Sequence, residues 1–324
     1  MKKYTARVVL FLLAIALAAS GQPSKPAPKD DDIPVFKAGK QLVNLYASVL
    51  DSKGKLVSDL PKSAFKVFEN GVEQQVSLFR SEDVPVSMGI LIDNSGSMKE
   101  KREKVAEAAL DLVKASNPQD EVFIESFNDK WYLDQDFTSD IQKLEAALDK
   151  LETRGSTALY DAIHLGVEHA KKGKRDKKVL LVVTDGNDTD SDETLEQIVR
   201  EARQSDGVLI YSIGILSDDT PHDTKSAKRA LKALAEASGG LDYYPKSLNE
   251  IDQIIPQVAR EIRHQYLLAY TPLNDALDGT FRQIKVSVTG PGKPTARARN
   301  GYYASPSEKA AQKPAEKSAE PPKK

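Results

Sequence analysis

The feature that most constrains the fold is a regular alternation of apolar strands and amphipathic helices between residues 84 and 262. VPVSMGILID, EVFIESF, KVLLVVTD and VLIYSIGI are apolar runs of strand length. KVLLVVTD is almost unbroken, as in a strand covered on both faces. Between these runs the apolar residues recur at helical spacing. Val105, Ala108, Ala109, Leu112 and Val113 mark a helix within Lys99–Ser116, and Ile141, Leu144, Leu148 and Leu151 mark another. Leu159–Ala170 reads as a third, and Leu195, Ile198, Val199 and Ala202 as a fourth. A fifth runs over 225–238 and stops at Gly239-Gly240. WYLDQDF reads as a further strand with Trp131 and Tyr132 in the core, and LDYYP as a short one. Ser247-Leu-Asn-Glu250 has the form of a capping box opening a last helix to Arg263. Together these predict an α/β fold, a doubly wound, mostly parallel sheet with helices on both faces.

The segments on either side are β in character. Over 36–83, Val43, Leu45, Ala47 and Val49 alternate with polar partners. Phe65, Val67 and Phe68 lead into the hairpin signal Asn70-Gly71, and Val76, Leu78 and Phe79 follow. Over 263–303 come QYLLAYTP, FRQIKVSVTG and a strand near Ala296–Tyr303. Either half is too thin to stand alone. The ends of an α/β unit lie close together, so the halves are expected to combine into one flanking antiparallel β-sandwich, with 84–262 inserted in it.

At the start of the chain, Lys2, Lys3 and Arg7 precede the apolar run Val8–Ala19 and the small residues Ala18, Ala19 and Ser20. Residues 1–20 therefore read as a secretory signal peptide, too short for a span of about 20 apolar residues. An uncleaved N-terminal membrane anchor is the alternative. Loss of this segment takes the formal net charge from −2 to −5. Leu17-Ala18-Ala19-Ser20 resembles a lipoprotein box with serine in the cysteine position, and a chain with no cysteine can be neither lipidated there nor bridged by disulfides. Residues 21–35 form a Pro- and Asp-rich linker, and 304–324 a tail of disordered composition. The expected location is periplasmic or secreted. The near-neutral balance argues against nucleic acid as a partner.

In open α/β sheets ligands bind beyond the carboxyl ends of the strands. Three loops there carry oxygen-rich chemistry. One is Asp93-Asn94-Ser95-Gly96-Ser97, one is Gly155-Ser156-Thr157-Ala158, and one is Asp185-Gly186-Asn187-Asp188. Helix N-capping explains Asp93, Ser95 and Ser97 as a group by themselves. Two carboxylates and three hydroxyls converging from separate loops would instead suit a hard cation, which takes oxygen ligands and keeps some waters.

DNSGS resembles the DxSxS motif of von Willebrand factor A domains. In order along the chain, Thr157 in GSTALYDA is similar to that family's metal-binding threonine and Asp185 in VVTDGND to its late aspartate. The resemblance covers about 84–262. It implies a metal-ion-dependent adhesion site built from Asp93, Ser95, Ser97, Thr157 and Asp185, holding Mg²⁺, with Mn²⁺ or Ca²⁺ as alternatives. It also implies a protein partner whose Asp or Glu completes the metal's shell. The flanking FKVFENG and Gly301-Tyr302-Tyr303 are similar to segments of bacterial secreted proteins called VWFA-related.

Other features have plainer readings. Asp188-Thr-Asp190-Ser-Asp192-Glu193 fails the EF-hand test, with Glu193 where glycine and Val199 where glutamate would be required. It reads as a solvated acidic turn near a helix N-terminus, and Asp161 as a structural hydrogen-bond acceptor on the same rim. The basic run Lys171–Lys178 reads as a solvated turn. The histidines at 164, 169, 222 and 264 lack zinc spacing, and neither a G-x-S-x-G elbow nor a phosphate-binding loop occurs. The expectation is a binding module and not an enzyme. A metal-assisted hydrolase using Asp129, Asp161 or Asp188 as base, or a structural envelope protein whose metal is a fold staple, are the alternatives.

Overall fold

The structure, a computed structural model, describes residues 42–81, 83–204, 207–216 and 221–305. The segments expected to be a signal peptide (1–20) and a linker (21–35), and the expected tail beyond 305, lie outside the described residues. In chain order the strands before the α/β unit are β1 (Val43–Leu50), β2 (Phe65–Glu69), β3 (Val72–Gln74) and β4 (Val76–Arg80). The unit itself holds β5 (Val86–Asp93), α1 (Arg102–Lys114), β6 (Glu121–Phe127), β7 (Trp131–Thr138), α2 (Ile141–Leu148) and α3 (Leu159–Ala170). It continues through β8 (Lys177–Thr184), α4 (Leu195–Gln204), β9 (Val208–Gly214), α5 (Pro221–Ser238), β10 (Asp242–Tyr243) and α6 (Ile251–Arg263). The chain then returns to β11 (Tyr266–Tyr270), β12 (Phe281–Val288), β13 (Thr295–Arg297) and β14 (Gly301–Tyr303).

The central sheet has the order β10-β9-β8-β5-β6-β7. Its pairings are parallel except at the edge, where β7 runs antiparallel to β6. Alternate residues of each strand feed two separate cores. Met88, Ile90, Ile92, Val179, Leu181 and Val183 pack against α1, α2 and α6 on one face. Leu91, Phe123, Leu180, Val182 and Ile210 pack against α3, α4 and α5 on the other. This is the expected doubly wound α/β architecture. From β5 the chain proceeds to β6 on one side and later to β8 on the other. The carboxyl ends of β5 and β8 therefore flank the topological switch point, where such sheets open a crevice.

Helix α1 begins at Arg102, later than the expected Lys99, because a 3₁₀ turn over Gly96–Met98 comes first. Asp140 caps α2 by accepting from the Gln142 N–H at 3.0 Å. Ser247 does not cap through its side chain, and Glu250 accepts from the Lys246 N–H at 2.8 Å instead of from that of Ser247, so the expected capping box does not form.

Two antiparallel sheets flank this unit, in the orders β13-β1-β11-β4 and β14-β12-β2-β3. One core joins them, with Val43, Leu45 and Tyr266 from the first and Phe65, Val67 and Ile284 from the second. Asn70 and Gly71, at φ of 49° and 82°, make the tight turn between β2 and β3. Ala304, expected in the tail, is buried and bonded to Thr280. The buried Glu69 of FKVFENG accepts from the hydroxyls of Tyr270 (2.8 Å) and Tyr302 (3.0 Å), so one carboxylate ties β2 to both β11 and β14.

The α/β unit leaves the sandwich after β4 and re-enters at β11, and these strands are neighbours. The two crossings are joined by Arg263, whose Nε donates to Asp83 at 2.8 Å. Behind them Lys177 is buried, with its Nζ donating to the Ile262 carbonyl and lying 5.2 Å from the centre of the Tyr46 ring. Burial pushes its ammonium down to about 7.

Glu125 is fully buried on β6, and neither of its carboxylate oxygens meets a donor at good hydrogen-bond geometry. His169 Nδ1 lies 3.7 Å away. Burial pushes the Glu125 carboxyl up to about 7, with Asp134 and Asp136 adding to the shift and Trp131 and Lys172 opposing it.

Two outcomes are expected. Glu69→Ala leaves two buried tyrosine hydroxyls unpaired and opens a cavity. It should cost about 3 kcal/mol in urea unfolding. The folded pKa of Glu125 lies above its unfolded value near 4.5, so its contribution is fully present below pH 4.5 and is lost as pH rises through 7. Glu125→Gln removes that loss, and its stability relative to wild type should rise by about 2–3 kcal/mol between pH 4.5 and pH 8.

Candidate metal centre

Asp93 is the last residue of β5 and Asp185 follows the last residue of β8. Adjacent parallel strands thus deliver two carboxylates to one rim. Asp93 is completely buried. Its Oδ1 accepts from the Ser95 backbone N–H at 2.8 Å, and its Oδ2 from the Thr184 hydroxyl at 2.5 Å. The Ser95 and Ser97 hydroxyls lie 3.1 Å apart, and Ser97 Oγ donates to Asp185 Oδ1 at 2.8 Å. The other oxygen of Asp185 accepts from Lys101 Nζ. Burial pushes the Asp93 carboxyl up, the hydrogen bonds from Thr184 and Ser95 oppose that, and the charge of Asp185 adds to it.

Helix capping does not account for these residues. Ser95 precedes the 3₁₀ turn without a side-chain capping bond, and α1 starts after Lys101, which makes none either. The two serine hydroxyls instead face each other and Asp185.

Thr157 reaches the same rim by a different route. Its loop turns at Gly155, whose φ of 77° suits glycine and whose added Cβ would lie 2.5 Å from Asp129 Oδ1. Arg154 N–H donates to the Asn94 carbonyl at 2.8 Å and Gly96 N–H to the Gly155 carbonyl at 3.2 Å, which ties this loop to the one after β5. Thr189 and Asp190 N–H both donate to the Thr157 carbonyl, at 2.9 and 3.2 Å, which ties it to the loop after β8. The Thr157 hydroxyl lies 3.9 Å from where a Cβ on Gly186 would stand, so it faces the Asp185-Gly186 backbone. Hydrogen bonds link Asp93, Ser95, Ser97 and Asp185 into one chain. Thr157 is held near them by the backbone bonds between its loop and the loops after β5 and β8.

The acidic stretch after Asp185 is engaged in holding the loops. Asp188 Oδ1 accepts from the N–H groups of Leu159 (2.8 Å) and Tyr160 (3.3 Å) and from Ser191 Oγ (2.5 Å). It thereby caps α3, a helix from another part of the chain. Asp161, on α3, returns the bond by accepting from Asp192 and Glu193 N–H at 3.1 and 2.9 Å. Asp190 accepts from Ser156 Oγ at 2.9 Å.

Among the described residues there is no group of three or more His, Cys, Asp or Glu side chains placed to hold a metal. A cation on this rim therefore depends on hydroxyls as well as on the two carboxylates. The donor set is oxygen only, which fits a hard divalent ion and not a soft one. Asn94 Oδ1, between Asp93 and Ser95, is also buried without a hydrogen-bond partner. Sequence reasoning missed Thr184 and Lys101. Thr184 adjoins Asp185 in VVTDG, and Lys101 falls four residues after Ser97, so spacing alone held a signal for both.

A curated relative, the uncharacterized protein sll0103 of Synechocystis sp., is 27% identical over 113 residues, 34% of this chain. The match spans 27% of that relative's length. Among solved structures, the von Willebrand domain of the type V pili tip protein Mfa5 from Porphyromonas gingivalis superposes with a TM-score of 0.46 at 14% identity, covering 56% of this chain and 97% of that one. The D319A mutant of the PilB minor pilin from Streptococcus sanguinis gives 0.47 at 12% identity, covering 57% of this chain and 63% of that one. Proximal thread matrix protein 1 from the mussel byssus, with a zinc-occupied MIDAS motif, gives 0.46 at 17% identity, covering 60% and 50%. These are distant likenesses, and the assignment rests on the sequence family. The von Willebrand factor type A domain matches residues 88–257, more than half of the 324-residue chain, and the chain belongs to that family.

Proposed function

We propose that this chain is an exported, metal-dependent protein-binding module, not an enzyme, and that it captures a carboxylate of a partner protein at a divalent ion. The ion is Mg²⁺, held by Asp93, Ser95, Ser97, Thr157 and Asp185, with Mn²⁺ or Ca²⁺ able to replace it. The observation that carries this reading is the convergence of two carboxylates and a run of hydroxyls at the switch point between β5 and β8. When bound, the ion supplies a fixed positive charge with an open position for an anionic oxygen. The two aspartates balance a divalent charge, so little protein charge remains to repel an incoming Asp or Glu. The residues of the chain hold and orient. Thr184 and the Ser95 N–H fix the Asp93 carboxylate, while Ser97 sets one oxygen of Asp185.

The groups that a hydrolase would need as bases are engaged elsewhere. Asp188 and Asp161 accept backbone N–H groups, and Asp129 is packed over Gly155. His164 pairs with Glu201 and His169 with Asp136. Export rests on the signal-like segment 1–20. Among the described residues no helix is long and apolar enough to cross a membrane.

The test combines metal titration with capture. Mg²⁺ or Mn²⁺ should raise the melting temperature of wild type and leave that of Asp93→Ala unchanged. A pull-down from the envelope fraction should retain a partner that EDTA and Asp93→Ala both release. Metal stabilisation without a metal-dependent partner would indicate a fold staple instead. Absence of any metal effect on wild type would refute the reading.

A further inference from the structure

One cation at the rim has no part in the family's ligand set. Lys101 Nζ donates to Asp185 Oδ2, with the lysine side chain 21% exposed and that of Asp185 1% exposed. Because Ser97 holds the other oxygen, both oxygens of this carboxylate are engaged. Lys101 is not on a free arm. Its N–H donates to the carbonyl of the buried Met98 at 2.9 Å, and its carbonyl accepts from Val105 N–H at 3.0 Å in the first turn of α1. Arg102 Nη1 donates to the Leu151 carbonyl and fixes the start of the helix from the other side. The backbone at Lys101 is therefore fixed so that its side chain reaches Asp185, and the rotamer entropy of that long side chain opposes the contact.

We propose that Lys101 sets the affinity of the rim for divalent cations, acting as a built-in cation that competes with the metal for Asp185. This rests on the metal-binding reading above. An ammonium and a divalent ion sharing one carboxylate repel each other strongly in a partly buried setting, where screening by salt is weak. A metal that loads must either displace Nζ from Asp185 or tolerate it at close range, and both weaken binding. Lys101 thus keeps the rim from filling at trace metal and confines loading to compartments where the ion is abundant. It also compensates Asp185, whose buried charge would be costly if left unpaired.

The test is calorimetric titration of MgCl₂ and MnCl₂ into the EDTA-stripped full chain, comparing wild type with Lys101→Met, Lys101→Gln and Lys101→Arg. Gln retains a donor for Asp185 without the charge, in case Met fails to fold. Met and Gln are expected to tighten the dissociation constant at least about tenfold, while Arg stays within about threefold of wild type. Thermal melts give an independent readout. In EDTA, Lys101→Met should melt several degrees below wild type, and saturating Mn²⁺ should close or invert that gap. If wild type takes up metal, Asp93→Ala does not, and Lys101→Met and Lys101→Gln bind no more tightly than wild type, the proposal fails while the metal site stands. If wild type and the Lys101 variants all take up no metal, both fail.

Discussion

The parallel pairing of β5 with β8 is the constraint on which the rest of the protein depends. Its register runs from Val86 opposite Lys177 to Ile92 opposite Val183, and every residue of β5 is buried. That register brings Asp93 and Thr184 to the same height, where their side chains bond, and lets Asp185 emerge next to them. A slip of one residue would turn Asp93 to the opposite face of the sheet. The apolar alternation that drives folding and the convergence of the two acids are thus one and the same register.

Much of this was legible before any coordinates. The apolar strands and the span Leu159–Ala170 were readable because a sheet covered on both faces and a helix with one buried stripe leave strong periodic marks. The five rim residues could be named because DNSGS, GSTALYDA and VVTDGND resemble, in order, the segments of one family's metal site. What escaped reading was short in range or depended on a distant partner. The 3₁₀ turn at Gly96–Met98 has no periodicity long enough to detect, so α1 was begun too early. Ser247 looked like a cap because caps are composed of such residues, yet its hydroxyl makes no capping bond. The acidic run near Asp188 reads as a solvated turn near a helix N-terminus, whereas Asp188 is engaged in capping α3, a helix that precedes it in the chain. Glu125 was passed over as part of an apolar strand, although one acid inside EVFIESF was itself an anomaly.

Three of the buried ionisable residues divide into two kinds. Glu69 is satisfied by two tyrosines from separate strands, which makes it a clasp for the sandwich. Glu125 and Lys177 are held in surroundings that oppose their charged forms. Both lie in the α/β unit, one beside an edge strand and the other at the seam with the sandwich.

That seam has a mechanical consequence. The α/β unit leaves and re-enters between β4 and β11, and its two crossings are pinned to each other by Arg263 and Asp83. A pull applied between β1 and β14 therefore runs through the ladders and the Glu69 clasp of the sandwich. It bypasses the strands that carry Asp93 and Asp185. The rim would keep its geometry under a tension that strains the scaffold holding it.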